Sequence, residues 1–381
     1  MLSARRFYFK SIFLLFACTE PISPEFAFES GLIYIDAFIS NIPGSSFVTV
    51  SESNFEFDIF KNEFLGNAEV LLLNINTDLE VPFSETGESY IPPEGFSITT
   101  GESWELHITL EDGRRYRSLP EIASSSVPIL ESEASFDPKL EFDLDENDFI
   151  PGHKVFVTLD DPAEEDNFYF WRFRSFERLI TCETCAGGVL RNGECISFEE
   201  FGSCIDENAI EPEYTYTCER DCWQIRFNQK IEIFSDEFTN GASGNRLGVA
   251  DVPLYTKNDI LVEIQQYSLT AEGHRYFRTL KDIVDNNGNF NSPPPAALLG
   301  NMFNADDSNE FVLGRFTIGS ASTASIFIDR TAIDEEPLEQ LRINTESGDL
   351  FFGNGLKVIS TAPCGEGRFR TGIRPPDWVD N

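Results

Sequence analysis

The strongest constraint on this chain is an alternation of apolar side chains with a period of two, which recurs along its length between clusters of turn residues. Trp104, Leu106, Ile108 and Leu110 alternate with Glu105, His107, Thr109 and Glu111, which predicts a strand with one buried and one wet face. Asp112-Gly113 follows as a hairpin signal, and Tyr116 resumes a strand. Upstream, Leu32, Tyr34, Asp36 and Phe38 alternate with Ile33, Ile35, Ala37 and Ile39, both sets largely apolar, as in a strand covered on both faces. Ala68–Ile75 is a similar run. Short strands separated by turns over 31–125 predict a first, Ig-like β-sandwich.

Leu119–Glu133, rich in Ser and Pro, reads as a linker into a second β domain over 126–381. Strand patterns resume at Lys139–Phe142, Lys154–Leu159 and Asn167–Arg174, and again at Gln224–Phe234, Ile260–Tyr267, Glu310–Ile318 and Ser325–Ile328. One helix is expected. Thr270 or Ser268 caps it, Tyr276, Phe277, Leu280, Ile283 and Val284 recur at helical spacing, and Asn286-Asn287-Gly288 ends it. The expected fold class is therefore mainly β: two β-sandwich-like domains, the second with one α-helix and a disulfide-rich insertion at 176–224.

The N-terminus carries an address. Arg5, Arg6 and Lys10 precede the apolar run Ile12–Phe16, and Ala17 stands before Cys18. These are the charged region, apolar region and small residue before a cut that mark an export signal, here over residues 1–17. The run falls far short of the roughly 20 apolar residues that span a bilayer. A cysteine directly after the cut can be acylated, and each buried methylene contributes about 0.8 kcal/mol, so two or more chains make a stable anchor. Cys18 is thus the expected lipidation site, and residues 18–30, with two prolines, the expected tether. The leader's three basic residues, once removed, take the formal charge from −37 to −40. Such a field repels nucleic acid and anionic headgroups.

Eight cysteines in an exported chain point to an oxidising compartment. Beyond Cys18 the disulfide candidates are Cys182, Cys185, Cys195, Cys204, Cys218, Cys222 and Cys364, six of them within 41 consecutive residues. The pairing stays open. Cys182-Glu-Thr-Cys185 with Cys218-Glu-Arg-Asp-Cys222 also has the spacing of a four-thiolate zinc site, or of a redox pair, but a thioredoxin-type site needs a βαβ setting that the pattern lacks. The compartment favours disulfides, so no metal and no cofactor are expected. Asp160, Asp161, Glu164, Glu165 and Asp166 crowd carboxylates as a hard-cation site does, yet lack the order and the glycine of a calcium loop. A solvated turn is the expectation. His107, His153 and His274 stand alone, and nucleophile-elbow, phosphate-loop and zinc-protease motifs are missing. No catalytic residue is assigned and no enzyme activity is expected. Trp104 and Trp171 are expected in the core, and Trp378 as a residue packing the tail down.

Four segments carry a family resemblance: Leu159–Phe173, Gln265–Val284, Asn291–Ser320 (NSPPPAALLGNMFNADDSNEFVLGRFTIGS) and Pro363–Trp378. Together they resemble a lipoprotein family of the Bacteroidota catalogued as a domain of unknown function, often encoded beside TonB-dependent receptors. The third segment is the most specific. Tyr90 and Trp104–Gly113 also resemble carboxypeptidase-regulatory-like β-sandwiches. The resemblance implies an outer-membrane, lipid-anchored protein that partners a TonB-dependent receptor in nutrient uptake, and it brings no catalytic residues. Thr19, where an inner-membrane retention signal favours Asp, agrees with the outer membrane. The alternatives are a structural or adhesive surface protein and, third, a hydrolase.

Overall fold

Ile33, Ile35, Ala37 and Ile39 are fully buried on one face of the first strand, and the sheet built outward from that strand organises the molecule. The computed structural model describes residues 30–56, 59–143, 147–184, 188–191, 194–197, 216–228, 230–285, 298, 300–338, 350–351, 357–358 and 367–380. In chain order the strands begin with β1 (Ile33–Ser40), β2 (Phe47–Glu56), β3 (Ile59–Phe64), β4 (Glu69–Asn74), β5 (Leu79–Pro82), β6 (Ser84–Thr86), β7 (Ser89–Ile91), β8 (Ser103–Thr109), β9 (Arg115–Ser118) and β10 (Glu121–Ile122). They continue with β11 (Glu131–Asp143), β12 (Asp148–Leu159), β13 (Phe168–Thr184), β14 (Gly188–Arg191), β15 (Glu194–Ser197), β16 (Tyr216–Phe227), β17 (Glu232–Ser235), β18 (Asn245–Pro253) and β19 (Ile260–Leu269). The helix α1 (Ala271–Asp285) precedes β20 (Met302–Asn304), β21 (Val312–Ile328), β22 (Leu350–Phe351), β23 (Lys357–Val358) and β24 (Arg370–Thr371).

The largest sheet has eleven strands, in the order β24-β16-β13-β19-β21-β1-β2-β7-β6, with β17 and β3 off that path. Its pivot is β21. Residues Val312–Gly319 pair in parallel with β1, and residues Ser320–Ile328 pair antiparallel with β19. One long strand therefore replaces the two short ones expected at Glu310–Ile318 and Ser325–Ile328. Two asparagines satisfy backbone groups along this handover, where an unpaired buried amide would be costly. Asn41 accepts from the Ala321 N–H (2.7 Å) and donates to its carbonyl (3.2 Å). Asn301 accepts from the Phe316 N–H (2.9 Å) and donates to its carbonyl (2.8 Å).

One face of this sheet is covered by two others. A six-stranded sheet, β20-β9-β8-β4-β5 with β10 on β8, packs Val70, Leu72, Trp104, Leu106 and Ile108 onto β1, β2 and β21. A three-stranded sheet, β11-β12-β18, packs Val155, Val157 and Val252 onto β13 and β19. The fold is mainly β, with several sheets and, among the described residues, one helix. Because β1 and β2 share a sheet with β13, β19 and β21, the boundary expected at residue 125 runs across continuous hydrogen bonding.

The expected linker is tied down along its length. Glu121 pairs with buried Arg315 and accepts from the Thr270 hydroxyl (2.8 Å). The Val127 carbonyl accepts from Gln266 and Ser322, each at 2.7 Å. The described residues of the expected insertion, 176–184, 188–191, 194–197 and 216–224, are strand. β13 and β16 pair from Arg174↔Phe227 to Thr184↔Tyr216, and β14 and β15 form a hairpin. The β13–β16 ladder extends the eleven-stranded sheet.

The helix forms where expected. The Thr270 hydroxyl accepts from the Gly273 N–H (3.2 Å), an N-cap contact, and Tyr276 and Phe277 are buried beneath the helix while Val284 is exposed.

His153 on β12 is 4% exposed and stacks edge-on against Phe136 at 5.3 Å. Burial, and secondarily the positive charge of Arg330, push its imidazole down to about 4. An unfolded histidine titrates near 6.5, so on acidification the unfolded chain takes up the proton first. Stability present above that pH is therefore lost as pH falls from about 6.5 to about 4. His153→Phe should flatten this window. Urea titrations at pH 7 and pH 4.5 are expected to lose about 2–3 kcal/mol more in the parent than in the variant.

Candidate functional site

The opposite face of the eleven-stranded sheet is covered in two places. At one, α1 lays Tyr276 and Phe277 over Phe38, Phe170, Tyr267 and Leu269, with the Phe170 and Phe277 rings stacked at 4.6 Å. At the other, Trp378 packs the tail against Trp223 (5.9 Å) and Phe327 (5.4 Å), as expected. Between these covers the sheet face is polar. Strand alternation and the pairing Arg172↔Gln265 and Arg174↔Glu263 set those four side chains side by side. Gly319 makes the aromatic end of this floor possible. A Cβ there would come within 2.9 Å of both Phe38 Cζ and Tyr267 Cδ1, rings that meet edge-to-face across β21 at 4.8 Å.

Most polar groups on the floor are matched. Arg174 makes a two-pronged pair with Glu263, at 3.0 and 2.9 Å. Gln265 donates to Glu263 (2.9 Å) and accepts from the Tyr267 hydroxyl (2.8 Å). This chain uses the acceptors nearest Arg172. The Arg172 guanidinium instead lies against aromatic rings, its central carbon 4.2 Å from the Phe38 centroid, 5.1 Å from Phe170 and 6.0 Å from Phe47. Among the described residues it donates no hydrogen bond and joins no ion pair.

Asp36 on β1 is in the same condition. It belongs to the even face of β1 with Tyr34 and Phe38, which was read from sequence as covered. Protein surrounds both Asp36 and Arg172 closely, yet both remain partly open to solvent. Burial raises the Asp36 carboxyl, and the nearby Arg172 charge opposes that rise. Burial correspondingly lowers the Arg172 guanidinium, against the pull of Tyr267 and Asp36. Burial also lifts the Tyr34 phenol to about 12, with Asp36 adding to the rise. Tyr276 is raised by burial and then by Tyr34 and Asp36. This polar patch thus holds an attracted but unjoined cation and carboxylate, beside phenols that stay protonated. It can bind and orient a polar ligand. The described residues place no nucleophile–base pair in it and hold no group of three or more His, Cys, Asp or Glu side chains fit for a metal.

The residues singled out from sequence lie elsewhere. Cys18, Cys185, Cys204 and Cys364 lie outside the described residues. Cys182, Cys195 and Cys218 are described only as backbone positions in β13, β15 and β16. Cys222, buried on β16, is disulfide-bonded. Trp104 and Trp171 are in the core. The acidic run is a turn whose first two carboxylates bind neighbouring backbone. Asp161 accepts from the Tyr169 hydroxyl (2.5 Å) and the Gly241 N–H (3.0 Å), and Asp160 from the Gly244 N–H (2.8 Å). Sequence reasoning missed Asp36 and Arg172. The available signal was a charged residue at Asp36 and two arginines at Arg172 and Arg174 inside otherwise apolar strand runs.

Fold and site define a mainly β protein with, among the described residues, one helix, whose large central sheet carries an unmatched carboxylate and guanidinium on one face. Residues 19–325 match the family described as Domain of unknown function (DUF4249), and the chain belongs to that family. No curated protein and no solved structure matches. The segment most specific to the family resemblance has a structural task here. Asn304 accepts from the Asp306 and Asp307 N–H groups (2.7 and 3.0 Å). Glu310 accepts from the Tyr116 hydroxyl (2.7 Å), and β20 pairs with β9. The segment locks the six-stranded sheet to β21.

Proposed function

We propose that this chain is an exported binding protein, held at the outer membrane through lipid on Cys18 and acting beside a TonB-dependent receptor in nutrient uptake. The observation that carries the compartment is the disulfide-bonded, buried Cys222, because structural disulfides persist in oxidising compartments. The leader and Cys18 supply the anchor, and the family resemblance supplies the receptor. A binding role is supported by the one carboxylate and one guanidinium, Asp36 and Arg172, left without a side-chain partner among the described residues on an otherwise matched polar floor.

Labelled palmitate tests the anchor. Wild-type protein should take up the label and fractionate with the outer membrane, and Cys18→Ser should do neither. A Cys18→Ser protein that remains in the membrane beside an unlabelled wild type overturns the anchor. Mild-detergent pull-down at native expression should recover an outer-membrane receptor, and a clean pull-down without one removes the receptor from the proposal.

A further inference from the structure

We propose that the polar patch holding Asp36 and Arg172 binds the zwitterionic head of an α-amino acid, its carboxylate on Arg172 and its ammonium on Asp36. This goes beyond the anchored binding role and holds whether or not Cys18 is acylated. Three observations carry it. First, Arg172 and Asp36 attract each other across the same sheet face yet form no ion pair, and neither makes a hydrogen bond among the described residues. Two charges held this deep without partners cost far more than a paired set. Second, the acceptors beside Arg172 are committed, since Gln265 serves Tyr267 and Glu263, and Glu263 serves Arg174. Third, the polar floor is bounded by aromatic surface from Phe38, Phe47 and Phe170, against which the guanidinium rests.

A planar guanidinium with free donors takes a carboxylate two-pronged. The lone carboxylate beside it decides among anions. Phosphate, negatively charged throughout and carrying no cationic group, meets like-charge repulsion from Asp36, and a simple carboxylate leaves Asp36 unmatched. A simple ammonium leaves Arg172 unmatched. An α-amino acid carries both charges two bonds apart and relieves both residues at once. Tyr34 and Tyr276, held protonated beside Asp36, can donate to the remaining carboxylate lone pairs.

The test is calorimetric titration of the full-length protein in detergent with glycine, L-leucine, acetate, methylammonium and inorganic phosphate. Glycine and L-leucine are expected to bind at least about tenfold more tightly than the other three. Arg172→Gln should weaken glycine by at least about tenfold, and Asp36→Asn should weaken glycine while leaving acetate unchanged or improved. Circular dichroism and urea midpoints confirm that each variant folds. Should a variant fail to fold, the wild-type ranking decides alone. Phosphate or acetate binding as tightly as glycine overturns the proposal, as does the lack of saturation by glycine and L-leucine at about 10 mM, or glycine affinity unchanged in a folded Arg172→Gln protein.

Discussion

Gly314→Ala is expected to prevent the chain from reaching its folded state, or to destabilise it by more than about 4 kcal/mol. Gly314 lies in β21 where that strand pairs with Ile35 of β1, and its backbone sits at φ +91°, a region L side chains rarely occupy. A Cβ there would lie 2.0 Å from the Ile35 carbonyl oxygen and 2.7 Å from its carbon. Those atoms are backbone of β1, which is paired on both sides by β2 and β21, and they cannot step aside without breaking the ladder. The other flank is closed too, since a Cβ on Gly300 would come to 1.6 Å from the Gly314 oxygen. Gly244→Ala is the control. Its φ is also positive, at +68°, but nothing lies within 4 Å of the added carbon, so only the backbone strain of about 1–2 kcal/mol applies. Urea unfolding of both variants separates collision from strain. A Gly314→Ala protein as stable as Gly244→Ala would show that β1 and β21 do not pair as described.

The local parts of this architecture were legible because local periodicity encodes them. The Trp104–Leu110 alternation, the Asp112-Gly113 turn and the α1 pattern with its Thr270 cap all appear in the structure. The pairing of β1 with β21 was not legible, since a period of two states which face is buried and never which distant strand lies alongside. The same limit hid β21 as one strand of 17 residues: its middle, Ser320–Ala324, is small and polar, and it reads as a break until Asn41 and β19 are seen to pair with it. Ser and Pro made 119–133 look like a linker, but the anchoring contacts of Glu121 and Val127 come from residues about 150 positions away or more. Charged residues inside strands were the least readable. Asp36, Arg172, Glu177 and Arg330 take their meaning from partners or from the lack of them, and composition alone counts them as surface charge.

Arg330→Ala is expected to cost about 3–5 kcal/mol, because it strands a buried carboxylate. Arg330 is fully buried just beyond β21, and Glu177 on β13 is 1% exposed. The guanidinium donates to Glu177 Oε1 at 2.6 Å and to the carbonyls of Thr256 (3.3 Å) and Pro253 (3.2 Å). It thereby joins the large sheet to the end of β18. Arg226 donates to the other Glu177 oxygen at 3.2 Å and is the only charged partner left to it among the described contacts. Glu177→Leu combined with Arg330→Met should cost less than the sum of the single changes, since removing both charges together strands neither. The pH dependence fixes the mechanism. Burial raises the Glu177 carboxyl, with Arg330 and Arg226 opposing that rise, so loss of Arg330 raises it further. A carboxyl raised in the folded state binds its proton more readily there than in the unfolded chain, and its cost grows as pH rises through the folded value. Burial chiefly depresses His153, and loss of Arg330 removes the smaller, charge-based part of that depression. Both effects shrink the Arg330→Ala deficit on acidification. Urea midpoints for parent and variant should therefore converge between pH 8 and pH 5, and a deficit constant across that range would show that lost packing, rather than a stranded carboxylate, carries the penalty.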